Sequence, residues 1–175
     1  MIHLGRADQC KIEALGTKIY LLWAGVSIGV AFLATPAKFL APSLALPVAL
    51  DVGRQTFRIY NTVELALFVL LLILGLWAQR RRRWYLGAFV AGAVVLAQAL
   101  WLIPALDLRV LALQADGAPL PPSNLHTAYV NLEALKVLWL LAMGFGALIA
   151  GGDGRRAART RLPGAKSAIS APWRA

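Results

Sequence analysis

Residues 125–136 read Leu125-His126-Thr127-Ala128-Tyr129-Val130-Asn131-Leu132-Glu133-Ala134-Leu135-Lys136. They open the last long apolar segment of the chain. At about 100° per residue on a helix, His126, Tyr129, Glu133 and Lys136 fall on one narrow face. A glutamate and a lysine inside a membrane span are costly unless they face protein, water or each other. The stretch therefore predicts a membrane helix whose polar face is turned toward a protein interior.

The bulk composition points the same way. Of 175 residues, 59% are hydrophobic and only 15% are charged, whereas soluble domains run nearer a quarter charged. The apolar excess is gathered into long runs, so lipid is the expected solvent. The formal net charge of +10 is no argument for nucleic acid: the basic residues flank apolar runs, as orientation signals do, and no recognition motif accompanies them. Cys10 is the only cysteine, which excludes an intrachain disulfide and a cysteine-based metal cluster.

Four apolar runs set the domain organisation. Residues 1–18 read as a polar N-tail. Residues 19–37 are uncharged and long enough to cross about 30 Å of hydrocarbon. They contain Gly25 and Gly29 in a GxxxG pair, with Ser27 and Ala31 nearby, a small face that favours tight helix packing in lipid. Pro36 breaks or bends the end of that helix. Residues 38–58 form a connection rich in Pro, Gly and Arg, with an amphipathic helical piece starting near Pro47, which Ser43 could cap, expected to lie at the interface and run into the next span. Residues 59–79 are the second span, closed by Arg80–Arg83. Residues 84–106 are the third, with Trp84, Tyr85 and Trp101 near its ends, as in aromatic belts. Residues 107–124 read as a loop dense in turn formers. Residues 125–150 are the fourth span. Residues 151–175 form a basic Gly/Ala/Arg-rich tail that is expected to be disordered. The expected fold is all-α: a four-helix transmembrane bundle with a short amphipathic segment in the first outer loop.

Orientation follows from the basic residues. With four spans both tails share a side. That side holds Arg6, Lys11 and Lys18, the four arginines at 80–83, and Arg155, Arg156, Arg159, Arg161, Lys166 and Arg174; the other holds only Lys38, Arg54, Arg58 and Arg109. The positive-inside rule places both termini in the cytoplasm. At about 1.5 Å of rise per residue, Glu64, Gln98, Tyr129 and Glu133 then fall in one layer in the outer half. His126 sits at its upper edge and Lys136 near the midplane.

These six residues are the candidates for substrate or proton contact; Asn61, Arg54 and Arg58 are the structural polar residues. Each has a plainer reading. Glu133 and Lys136 are three apart and form a local ion pair. His126 near a helix start is more often a hydrogen bonder than a ligand. Gln98 serves equally well as interhelical glue. Glu64 is the hardest to explain away, since its near neighbours in sequence are only Asn61 and Arg58. No catalytic residue is assigned. No metal site is expected, because His126 and Glu133 lie about 10 Å apart along a helix and no Glu-x-x-His pair occurs. There is no phosphate loop, dinucleotide fingerprint or nucleophile elbow.

The segments Ala34-Thr-Pro-Ala-Lys-Phe, Gly53-Arg-Gln-Thr-Phe, Asn61-Thr-Val-Glu and Leu125-His-Thr-Ala-Tyr with Glu133 and Lys136 make residues 19–150 similar to a group of bacterial four-helix inner-membrane proteins. That resemblance implies fold and location and brings no activity or cofactor with it. Three function classes compete: a structural or accessory membrane subunit, a carrier or proton-coupled protein working through Glu64 and Glu133/Lys136, and a membrane enzyme or cofactor binder using His126. The expected partners are the lipid bilayer and other membrane subunits or further copies of the chain.

Overall fold

In hydrocarbon every backbone N–H and C=O must find a partner within the protein, and an α-helix provides all of them within one segment. The computed structural model describes residues 5–77, 81–116 and 121–160, which are helical except for short connections; they contain no strand. The elements are α1 (Arg6–Ser27), a π-helical stretch (Ile28–Ala34), α2 (Thr35–Lys38), α3 (Leu46–Trp77), α4 (Arg81–Ala97), a second π-helical stretch (Gln98–Leu102), α5 (Ile103–Asp116) and α6 (Leu125–Thr160). They join into four rods. Ala7–Lys38, Leu46–Trp77, Trp84–Ala115 and Leu125–Gly151 are long and apolar enough to cross a membrane, by length and composition.

Each rod packs on the next, and the fourth closes on the first. The short connections make neighbours antiparallel, the up-down-up-down arrangement of a four-helix bundle. Ile19, Tyr20, Trp23 and Ala24 meet Leu71, then Ala88, Ala91 and Val95, then Leu140 in the core. Large aliphatic and aromatic residues on all four rods, Leu22, Ile59, Phe89 and Leu138 among them, point outward, while Glu64, Gln98, Glu133 and Lys136 point inward and are buried. A soluble bundle distributes these residue types the other way round.

Both π-helical stretches precede a proline. Pro36 and Pro104 cannot donate to the residue four before them, and their rings crowd that carbonyl. The widened turns absorb the fault: Thr35 N–H and Ile103 N–H bond five residues back, to the Val30 and Gln98 carbonyls. The Thr35 hydroxyl also donates to the Val30 carbonyl at 2.8 Å. As a result neither proline ends its helix. The loop expected from residue 107 is helical as far as Asp116.

Other boundaries differ from the sequence expectation as well. The polar N-tail is helical from Arg6. Its Gln9 is buried and donates to the Trp77 carbonyl at 3.1 Å, and Cys10 is exposed on the same helix. The segment expected to be amphipathic is helical from Leu46 and runs without a break into the second rod as the first turns of α3, with Pro47 in its first turn, where the missing N–H costs nothing. Ala45 precedes the helix, so Ser43 does not cap it. Residues 151–160 prolong α6; the rest of the expected tail, 161–175, lies outside the described residues.

The glycines that bring rods together are also not the GxxxG pair. Side chains added at Gly25 and Gly29 would meet nothing within 4 Å. A Cβ at Gly16 would stand 2.1 Å from the Trp84 ring, one at Gly92 2.4 Å from Phe68, and one at Gly144 2.5 Å from Leu21. Close approach of two rods needs the missing side chain at those positions.

Candidate functional site

The centre of the bundle holds a polar layer built from all four rods. Lys136 on α6 lies 2.5 Å from Glu64 Oε1 on α3 and 2.8 Å from Glu133 Oε2 one turn away on its own helix. Its third contact is Gln98 Oε1, at 3.1 Å. An ammonium has three N–H donors, and each has an oxygen here. Gln98 returns its amide to Glu133 Oε2 at 2.9 Å. The first rod supplies Trp23, whose indole N–H donates to Glu64 Oε1 at 2.9 Å. Tyr60 on α3 donates its hydroxyl proton to Glu133 Oε1 at 2.5 Å and lies 2.7 Å from Ser27 Oγ on the first rod. The Lys136 ammonium also sits 5.4 Å from the centre of the Tyr60 ring.

Burial is complete: Glu64, Gln98 and Glu133 are 0% exposed and Lys136 1%. In such a site an isolated charge is expensive, and pairing plus hydrogen bonding is what makes it tolerable. The layer has one more carboxyl than amine. Two buried polar atoms near it, Glu64 Oε2 and Asn61 Nδ2, have no hydrogen-bond partner.

Toward the end of the bundle where residues 39–45 and 121–124 lie, a cavity of about 400 Å³ opens. Lys38, Arg54, Arg109, His126 and Tyr129 line it together with apolar residues of α3 and α5. None of Glu64, Gln98, Glu133 and Lys136 does. Phe57 and Tyr129 stand between, their rings 5.1 Å apart and edge to face. Phe57 also contacts Tyr60, at 6.5 Å, and so connects the cavity wall to the polar layer.

The structure thus divides the six candidates into two groups. Glu64, Gln98, Glu133 and Lys136 share one network. Tyr129 is buried one turn above it, and His126 is exposed at the cavity, outside the network. The helical face on residues 125–136 therefore spans two environments. Arg58 pairs with Asp107 at 2.7 Å rather than with Glu64. Arg54 pairs with Asp51 at 3.0 Å, and Asn61 lines a shallow groove between α3 and α5. Among the described residues no three His, Cys, Asp or Glu side chains converge as metal ligands would.

Three residues of the network escape a sequence reading that looks only for charges: Trp23, Ser27 and Tyr60. Spacing is the signal that was available. Trp23 and Ser27 are four apart, as are Tyr60 and Glu64, so each pair shares a helix face. Ser27 reads instead as part of the small GxxxG face. Comparison of the chain with protein-family models, with curated proteins and with solved structures finds no match.

Proposed function

We propose that the chain is a small polytopic membrane protein, an accessory or structural subunit, whose central polar layer holds four spans in one register. The carrying observation is the enclosure of Lys136. All three of its N–H donors are engaged by Glu64, Glu133 and Gln98, and the nearby cavity does not reach them. Groups so fully engaged with one another act as positional locks: a rod that slides or rotates leaves a charge unpaired in a dry interior. The resemblance and the charge asymmetry support a bacterial inner-membrane location with both termini cytoplasmic, which sets the layer in the outer half of the bilayer.

Purified protein carrying Glu64→Gln, Lys136→Met or both tests this reading. Loss of one partner from a buried pair typically costs about 3–5 kcal/mol. Each single variant should melt well below the parent, and the double variant should lose clearly less than the two losses combined. Proteoliposomes of the parent should show no proton flux above empty vesicles under an imposed pH gradient. Strictly additive losses would contradict a lock.

A proton-coupled carrier is the second reading. It is favoured by the unpartnered Glu64 Oε2 and by the excess carboxyl of the layer. Its signature is flux in the same vesicles that Glu64→Gln abolishes.

A further inference from the structure

The cavity at the end of the bundle is lined by both cationic and apolar side chains. Lys38, Arg54 and Arg109 line it, against a single carboxylate, Asp107. Asp107 is already engaged, because Arg58 donates to its Oδ2 through two nitrogens, at 2.7 and 3.1 Å. Arg109 donates to the Pro121 carbonyl.

Lys38 and Arg54 differ from these two. Among the described residues Lys38 faces the Phe39 ring at 5.0 Å and has no carboxylate within ion-pair distance. Its ammonium lies against α3 beside Gly53, where a Cβ would overlap Lys38 Nζ and make the lysine tip shift. Arg54 is in ion-pair range of Asp51, yet its buried Nε has no hydrogen-bond partner. Two cationic groups with unmet donor capacity in the wall of a largely apolar cleft raise the local concentration of anions. Phe57, Ile103, Leu106 and Val110 make the walls. The volume of about 400 Å³ falls within the usual range for small-molecule sites.

We propose that this cavity binds an anionic amphiphile, its carboxylate or phosphate head held by Lys38 and Arg54 and its apolar body among Phe57, Ile103, Leu106 and Val110. The head chemistry is shared by a free fatty acid and by the head of an anionic phospholipid. The site is separate from the polar layer and stands whether that layer is structural or conducting.

The test uses the full chain in nanodiscs of phosphatidylcholine and a diazirine-bearing dodecanoate. After photolysis, label should map to the peptides containing Phe57, Val110 and His126. Unlabelled dodecanoate should compete, and dodecanol should not. Phosphatidylglycerol built into the disc distinguishes the source. If it suppresses labelling, the natural head is that of a membrane lipid; if labelling persists, it is a free carboxylate. Loss of a charge-assisted contact should weaken labelling roughly tenfold in Lys38→Gln. Gly53→Ala, which displaces the Lys38 ammonium without removing it, should weaken it in the same direction. Gly25→Ala, at a position facing open space, should leave it unchanged, and melting curves confirm that each variant is folded. Equal competition by dodecanol, or full labelling of Lys38→Gln, would overturn the proposal.

Discussion

Tyr60 is a fair measure of how tightly single residues are committed here. Among the described residues its hydroxyl is the sole donor to Glu133 Oε1, while Oε2 of the same carboxylate has two. Tyr60→Phe keeps the ring and its contact with Phe57 and strands that oxygen. A buried acceptor left without its donor costs about 1–3 kcal/mol, so the variant should melt at lower temperature in detergent. Unchanged melting would mean that water reaches Glu133. The glycines permit a sharper contrast. Gly16→Ala drives a methyl into the Trp84 ring, and overpacking of this kind costs about 1–3 kcal/mol. Gly25→Ala meets open space and should be neutral or stabilise by about 0.5–1 kcal/mol, as alanine does within a helix. Equal effects at the two positions would contradict the packing described.

At the scale of elements, helices here outrun the hydrophobic runs that nucleate them. α6 continues from Leu125 to Thr160, although the segment apolar enough to span a membrane ends at Gly151. Once a helix is nucleated, each added residue contributes a hydrogen bond at little entropic cost. The extension beyond the apolar window is thus expected to contribute little to the bundle. A chain truncated after Gly151 should accumulate in the membrane and melt within a few degrees of the parent. Loss of accumulation, read by immunoblot of membranes, would give the basic segment a role in assembly. The two proline-associated π-helical stretches make a related point. A proline inside a helix is tolerated when one wider turn supplies bonds five residues back, so it bends a rod without ending it.

For the whole molecule, antiparallel neighbours bring the start of α1, the end of α3, the start of α4 and the end of α6 to one end of the bundle. Among the described residues, Arg6, Lys11, Arg81–Arg83, Arg155, Arg156 and Arg159 belong to those helix ends. Reporters fused after Ala175 and inserted beside Arg82 should therefore both read cytoplasm, and one inserted near Asp116 should read the opposite side. A C-terminus on the outer side would reverse the orientation and with it the depth assigned to the polar layer. The cavity lies at the opposite end of the bundle, so in the proposed orientation an amphiphile would reach it from the outer leaflet or its aqueous face.

The sequence by itself determined the helical class, the four apolar segments and the residues that cannot tolerate lipid. These follow from local facts: run length against bilayer thickness, and the cost of burying charge. It also set the pairing of Glu133 with Lys136, because residues three apart on a helix meet whatever surrounds them. Helix ends at Arg6, Leu46 and Asp116 were harder to read, since composition marks where a chain leaves hydrocarbon and not where its hydrogen bonding stops. Only the tertiary structure decided which partners come from other rods. Trp23 and Lys136 converge on Glu64, Tyr60 and Gln98 on Glu133, and Arg58 turns away to Asp107. Those choices depend on how each rod is rotated about its axis, and the widened turns before Pro36 and Pro104 reset that rotation partway along two of them. The separation of His126 from Glu133 and Lys136 on its own face has the same origin. The face is a property of one helix, whereas the boundary between sealed layer and open cavity is drawn by Phe57 and Tyr129 on two.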